Sequence, residues 1–355
     1  VTQPTSKRLL TEDRAALASN ATPAVLGTGS AGSATTVSRS DHVHPSVGLY
    51  MPWGAGYDGD LVFDGTTAVN TIDPATYTNS AMTPSGSVYT IDRSIMARTI
   101  TIGNGVTLAV QQGCTIAATD LLTCPTGSCT IHADGTAGAA NGTAGAARAQ
   151  NLIAAAGAGG AGNTGAGSSG SAVAGPTDQW CSALGSSGGL GSSGAGGGTS
   201  GAPIANQPGR WLLGRDARTL LTGEVHDYRY GNSWGVLIGA SGGGGGGGDG
   251  TNKGGGGGGG AGILIVNARK LVGNITFRAI GGAGGSPTTG NAGGGGGGGG
   301  GYVFINTTDL TGYTGPVSSS TRATHAAGGA GGTKVGTGVN GTAGSVGHVF
   351  VTTWK

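Results

Sequence analysis

Alternation of apolar and polar residues is confined to short stretches of the chain. Ser87-Val-Tyr-Thr-Ile91 and Arg98-Thr-Ile-Thr-Ile102 alternate polar and apolar residues, which predicts strands with one buried face. Gly103-Asn-Gly105 reads as a turn, Val106-Thr-Leu-Ala-Val110 resumes the alternation, and Cys129-Thr-Ile-His132 is a further strand candidate. Short strands parted by Gly and Asn turns predict stacked rungs or a small sandwich over residues 51–134. Helical signal is confined to residues 5–19, where Thr11 is a candidate N-cap with Glu12 and Asp13 in the first turn. Leu9, Leu10 and Leu17 make no long stripe, so this is a short packing helix or attachment stub within an N-terminal segment, 1–22. Residues 23–50 read as a Gly/Ser/Thr linker.

Beyond Asp134 the pattern changes. Gly135-Thr-Ala-Gly-Ala-Ala-Asn141 is followed at once by Gly142-Thr-Ala-Gly-Ala-Ala-Arg148, a tandem copy. A longer unit then recurs. Gly254–Gly260 leads into Gly262-Ile-Leu-Ile-Val266, Ile275-Thr-Phe-Arg-Ala-Ile280 and Gly281-Gly-Ala-Gly-Gly285. Gly293–Gly301 leads likewise into Tyr302-Val-Phe-Ile305, Arg322-Ala-Thr-His325 and Gly328-Gly-Ala-Gly-Gly332. A partial copy follows in Gly341–Gly347 and His348-Val-Phe-Val351, and Asn151–Gly160 looks like an earlier relative. The spacing of the two full units lies in the range of repeat architectures. Residues 135–355 therefore read as one repetitive domain whose strands form its hydrophobic layer. Its glycine pattern is broken by an aromatic insertion, 176–235.

Composition sharpens this picture. Glycine supplies 82 of the 355 residues, against roughly 7% of an ordinary protein. Ordering a glycine costs more backbone entropy than ordering any other residue and brings no side chain to bury. The runs must recover stability from backbone hydrogen bonds and close backbone contact. Collagen would need a strict Gly-X-Y period, and none is present. Extended threefold glycine helices packed side by side are the remaining solution, and the glycine is scaffold. Charged residues make up 10% of the chain and the formal net charge is +2. That excludes a basic nucleic-acid binder and a highly charged disordered chain.

The four cysteines carry little signal. Cys124-Pro-Thr-Gly-Ser-Cys129 either closes a small disulfide loop or holds two free thiols on a turn, and its spacing fits neither a C-x-x-C motif nor a zinc knuckle. No targeting segment is evident, and Ile263-Leu-Ile-Val266 is far too short to span a bilayer. A start at Val1 leads us to expect a fragment of a longer chain or a processed product.

Three constellations could carry chemistry. In an extended segment, His42 and His44 of Asp41-His-Val-His-Pro45 point to one side. Six imidazoles from three chains would make an octahedral set for a first-row transition metal; the plainer reading is two exposed linker histidines. Trp180, Arg210, Trp211, Tyr228, Tyr230 and Trp234, with Arg215, Asp216, Asp227 and Arg229, form the second. Exposed aromatics stack on sugars and Arg and Asp bond hydroxyls; alternatively these side chains form a small core. Glu224 and Asp227 are the third, a carboxylate pair beside His226. On a strand they face opposite sides, and no second carboxylate pattern supports a glycoside hydrolase. Gly250-Thr-Asn-Lys253 lacks the order of a phosphate loop.

The stretch Gly27-Thr-Gly-Ser-Ala-Gly-Ser-Ala-Thr-Thr-Val-Ser-Arg-Ser-Asp-His-Val-His-Pro45 resembles a motif of bacteriophage tail-fibre and tail-spike proteins. In long tail-fibre tips of that type, His-x-His pairs from three chains ligate iron along the fibre axis. The resemblance implies that His42 and His44 hold one iron ion shared between three chains, a single trimer lock, since the motif occurs once here. The glycine-rich half, about 135–355, separately resembles the polyglycine-helix domain of phage adhesins, in which glycine runs form a rigid lattice and the intervening loops contact the host receptor. Those adhesins are monomeric caps without a His-x-His segment, so this chain would combine a trimeric fibre with such a tip.

The two resemblances together imply a mostly β fold with polyglycine-II-type helices and minimal α-helix, elongated and repetitive. They imply a non-catalytic receptor-binding protein of the virion tail, homotrimeric and joined to other phage tail proteins. Its target would be a bacterial surface glycan or outer-membrane protein, with no nucleic acid bound and no membrane insertion. A purely structural fibre or glycine-rich surface protein is the alternative, and a depolymerising tail spike a further one.

Overall fold

The computed structural model describes residues 53–73, 78–111, 114–148, 156–168, 170, 180–181, 237–315 and 322–353. All of them belong to one compact unit, Pro52–Lys355. The fold is mostly β, and its single described helix is one turn, α1 (Arg322–His325). The predicted helix at 5–19, the linker and the His-x-His segment lie outside the described residues.

Nine strands make one sheet in which every pairing is parallel. They are β1 (Asp60–Phe63), β4 (Val88–Ile91), β5 (Ile95–Ile102), β6 (Thr107–Val110), β7 (Thr115–His132), β10 (Ile263–Ala268), β11 (Leu271–Arg278), β12 (Tyr302–Thr307) and β13 (His348–Thr353). Two further pairs lie apart: antiparallel β2 (Val69–Asp73) with β3 (Thr78–Met82), and parallel β8 (Trp180–Cys181) with β9 (Leu237–Ile238). The sheet path runs β1-β5-β7-β10-β12-β13, and β7 also pairs with β11 and β6. Parallel stacking of short strands is the rung arrangement that the alternation admitted.

The long strand β7 is the spine. Its start lies between β5 and β10, its middle between β5 and β11, and its end beside β11 and β6. The predicted strand at Cys129–His132 is only its last part. The earlier part escaped the alternation rule because Ile116, Ala117 and Ala118 are all buried, as in a parallel strand covered on both faces. In β10 and β12 likewise, every residue is buried.

On one face Leu264, Val266, Val303, Ile305 and Val349 join Ile116, Leu122, Ile131, Ile275 and Phe277 in the main core. On the other, Tyr302 and Phe304 stack on His348 and Phe350, with Phe304 and Phe350 centroids 5.0 Å apart. Asn306 on this face donates to Asn267 of the neighbouring rung at 2.7 Å. The repeat spacing read from the glycine runs is thus the sheet register: Ile263 lies opposite Tyr302 and Asn267 opposite Asn306, 39 residues on. In the second unit Asp309 and Tyr313 bridge in parallel to Lys270 and Gly273, beside the start of β11, and α1 follows, its His325 buried with Nδ1 2.7 Å from the Phe277 carbonyl oxygen.

The glycine runs form no strands. They leave the strand ends and return, and bond to one another through backbone alone. In the run 254–262 the N–H groups follow a three-residue cycle. Gly255, Gly258 and Ala261 donate to Gly293, Gly296 and Gly299; Gly256, Gly259 and Gly262 donate to Ala139, Thr136 and Ala133; Gly257 and Gly260 donate to Gly160 and Gly157. Its carbonyls accept from three more segments, through Gly145, Gly243 and Gly282 among others. One run thus touches six neighbours.

That packing leaves no room for a side chain. A Cβ on Gly258 would stand 1.9 Å from the Gly282 carbonyl oxygen, and one on Gly256 1.9 Å from that of Thr143. In the Gly-Gly-Ala-Gly-Gly segments the central alanines, Ala283 and Ala330, face outward and are exposed, whereas Ala240, Ala261 and Ala292, at the ends of runs, are buried.

Candidate functional site

Each out-and-back pair of runs ends in a polar turn, and backbone bonds bring these turns to one end of the bundle. Gly250 donates to Thr164 and Gly254 to Asn163, joining the turns at 163–166 and 249–253. Thr289 donates to Asn252 Oδ1 at 3.0 Å, adding 286–291. Thr337 donates through its N–H to Asn291 Oδ1 at 3.1 Å, and Thr333 to Ser286 Oγ at 2.9 Å, adding 333–340. The strands leave from the opposite end of the runs, near Ala240, Gly262, Ala279, Gly301 and Gly347.

Asp249 organises the centre of this loop end. Its carboxylate accepts from the N–H groups of Thr251, Asn252 and Asn291 and from the Asn252 side-chain amide. The Asn252 and Asn291 backbone bonds, foremost among these, hold its carboxyl well below the usual carboxylate range. A carboxylate so occupied is an anchor for the turns. The side chains left facing water include Thr251, Lys253, Thr289, Lys334, Thr337 and Asn340. They offer hydroxyls, an amide and two ammonium groups, a surface that bonds polar ligands and presents no paired carboxylates.

At the strand end a second cluster joins sheet to lattice. Asp134, two residues beyond the end of β7, accepts from the Ile280 N–H at 2.7 Å. Its other oxygen lies 2.7 Å from Arg278 Nε and 3.2 Å from His132 Nδ1. Burial alone would raise the Asp134 carboxyl. The His132 and Ile280 bonds and the Arg278 charge more than offset that and hold it below its usual value. Close by, Arg148 is half-hidden and its Nε–H donates to the Val110 carbonyl oxygen at 2.6 Å. Burial pulls its pKa down, against the opposing charge of Asp134.

Of the residues singled out from sequence, His42, His44, Arg210, Trp211, Tyr228, Tyr230 and Trp234 lie outside the described residues, as do Glu224 and Asp227. Trp180 lies on β8, where its backbone pairs with Leu237. Cys114, Cys124 and Cys129 are buried, and of the two readings of the Cys124–Cys129 segment the structure has the one with two thiols. Among the described residues no group of three or more His, Cys, Asp or Glu could hold a metal ion, and no helix is long and apolar enough to cross a membrane.

The loop end was reachable from sequence only as the set of segments between glycine runs. Its signal is a short polar segment of five or six residues between runs, Asp249-Gly-Thr-Asn-Lys253 or Ser286-Pro-Thr-Thr-Gly-Asn291. Comparison with known proteins finds no matching family model, no matching curated protein and no matching solved structure.

Proposed function

We propose that this chain is a non-catalytic receptor-binding protein at the tip of a bacteriophage tail fibre, which attaches the virion to a bacterial surface glycan or outer-membrane protein. The observation that carries this reading is the gathering of four polar turns at one end of a backbone-bonded bundle. Such a bundle fixes its loops with little loss of entropy left to incur on binding. The glycine runs are polyglycine-II helices in this reading. Their three-residue donor cycle is what a threefold helix with neighbours on every side requires.

Receptor contact falls to the loop end and to the aromatic insertion, with Trp180, Arg210, Trp211, Tyr228, Tyr230 and Trp234 as its anchors. His42 and His44 of three chains make the trimer lock. Two imidazoles per chain give six nitrogen donors, a set suited to iron. The bound ion would cross-link three strands of an elongated fibre.

The test is retention of the purified protein on a panel of intact bacterial strains. Strain-selective retention is expected. It should weaken in the Trp211→Ala/Tyr228→Ala/Trp234→Ala variant or in a variant carrying Lys253→Ala, Thr289→Ala and Thr337→Ala, each checked for folding by circular dichroism. Equal retention of wild type and both variants, or no retention on any strain, would leave a structural fibre component. Native mass with elemental analysis checks the lock. A trimer with about one iron, lost in His42→Ala/His44→Ala, is the expected result.

A further inference from the structure

The Cys124–Cys129 segment interrupts the best-formed ladder of the sheet. Along the β7–β11 pairing, Cys124 lies opposite Gly273, Ser128 opposite Asn274 and Cys129 opposite Ile275. Three residues, Pro125 to Gly127, are thereby extruded from the ladder. Pro125–Ser128 are exposed, whereas both cysteines are buried in the main core. With the extruded residues discounted, the cysteines occupy positions two apart on the ladder. Positions two apart face the same side, and at about 3.3 Å per residue their Cα atoms are about 6.6 Å apart. That lies inside the 4.4–6.8 Å window over which disulfides form.

The remaining approach of the two Cβ atoms is a local matter for the bulge. Gly127 sits at φ +66° and Gly273, opposite Cys124, at φ +85°, so the hinge positions carry no Cβ. The Cys124 thiol donates to the Thr126 carbonyl oxygen at 3.5 Å, within the extruded residues. Other bonds hold the bulge from outside the pair. Ser128 N–H donates to Asn104 Oδ1 at 3.0 Å, and Gly105 N–H donates to the Ser128 carbonyl. Tyr313, stacked on Phe277, bonds the Ile275 carbonyl at 2.6 Å and lies beside Cys129. Two sulfurs without further ligands do not make a structural zinc site.

We propose that Cys124 and Cys129 are a redox-closable pair, whose sulfurs join in a disulfide that staples the Pro125–Ser128 bulge once the protein meets an oxidising exterior. The inference is independent of what the loop end binds. With a small-molecule disulfide such as oxidised glutathione, one thiolate attacks a glutathione sulfur and expels a glutathione thiolate. The second cysteine thiolate then displaces the other glutathione from the mixed disulfide. The two cysteines lose two protons and two electrons, and one glutathione disulfide becomes two glutathione thiols. Burial pushes the Cys129 thiol well above its usual range, with Cys124 adding to the effect. Thiolate is therefore scarce in the folded state, and closure proceeds through opening of the bulge.

The whole chain, purified reduced, is incubated with oxidised glutathione, quenched in acid, unfolded and treated with N-ethylmaleimide. Cleavage before Asp120 then separates Cys114 from the pair for mass spectrometry. The expected result is complete loss of alkylation at Cys124 and Cys129, a peptide lighter by two hydrogens, recovery of both sites with dithiothreitol, and continued alkylation of Cys114. The closed form should melt higher than the reduced form, and Cys129→Ser should lose that difference. Alkylation of both Cys124 and Cys129 after oxidation, stable glutathione adducts on them, or pairing of either with Cys114 or Cys181 would each overturn the proposal. The alkylation map needs no variant, so a failure of Cys129→Ser to fold does not weaken it.

Discussion

The parallel stack and the glycine bundle are halves of the same circuits of chain, yet they are held by opposite means. In the stack, side chains do the holding: Phe277, Ile275, Ile131 and Leu122 are at most 1% exposed and fill one continuous core. The backbone ladder there is generic, and identity lies in volume and shape. In the bundle, side chains are excluded, and three successive N–H groups of one run reach three different neighbours. Removing atoms is what harms the first region, and adding them is what harms the second. The same substitution therefore has opposite meaning on the two sides of Gly262.

The sharpest way to break this contrast is Gly258→Ala. With a carbonyl oxygen 1.9 Å from the new Cβ, the run cannot stay in place. A loss above about 4 kcal/mol, or failure to obtain folded protein, is expected in thermal denaturation. In the stack, Phe277→Ala removes a fully buried ring and should cost about 3–5 kcal/mol by denaturant titration. An unchanged midpoint for either variant would break the comparison.

Asp134→Asn addresses the join. Arg278 is partly exposed and its attraction is screened by water, so removing the charge opposite it should cost about 1 kcal/mol near neutral pH. The wild-type carboxyl has a folded pKa below its unfolded value. Its contribution is therefore present above the unfolded pKa, near 4, and is lost as pH falls through the folded pKa. Melting followed from pH 6 downward should show an acid decline in the wild type that is shallower in Asp134→Asn.

Much of the fold was legible where one physical cause acted alone. Alternation located β4, β6 and the later part of β5. The spacing of glycine runs, although read only as a repeat, equals the register of β10 on β12. It failed where two causes overlapped. Thr115–Thr123 carries Ala117-Ala118 and Leu121-Leu122, because β7 is covered on both faces for part of its length, and period two vanishes there. Arg322–His325 forms a helical turn that brings His325 Nδ1 to the Phe277 carbonyl oxygen at the end of β11. Nothing in four residues announces that. The tandem copy at 135–148 folds back on itself at Asn141-Gly142, with the Ala139 N–H donating to the Thr143 carbonyl oxygen, a reversal that repetition alone does not reveal. At the loop end, Asp249 was invisible as an anchor because Asn291, one of its donors, is 42 residues away.

The exclusion of side chains from the bundle also bears on heat capacity. Unfolding an oil-like core exposes hydrocarbon and raises heat capacity by about 0.45 cal/K/mol per Å², while exposing peptide groups lowers it by about 0.26. The stack follows the first rule and the glycine runs the second, so their contributions partly cancel. The curve of stability against temperature is therefore broader than that of a hydrophobic domain of equal length. On cooling, the bundle keeps its hold while the hydrocarbon core beside it weakens.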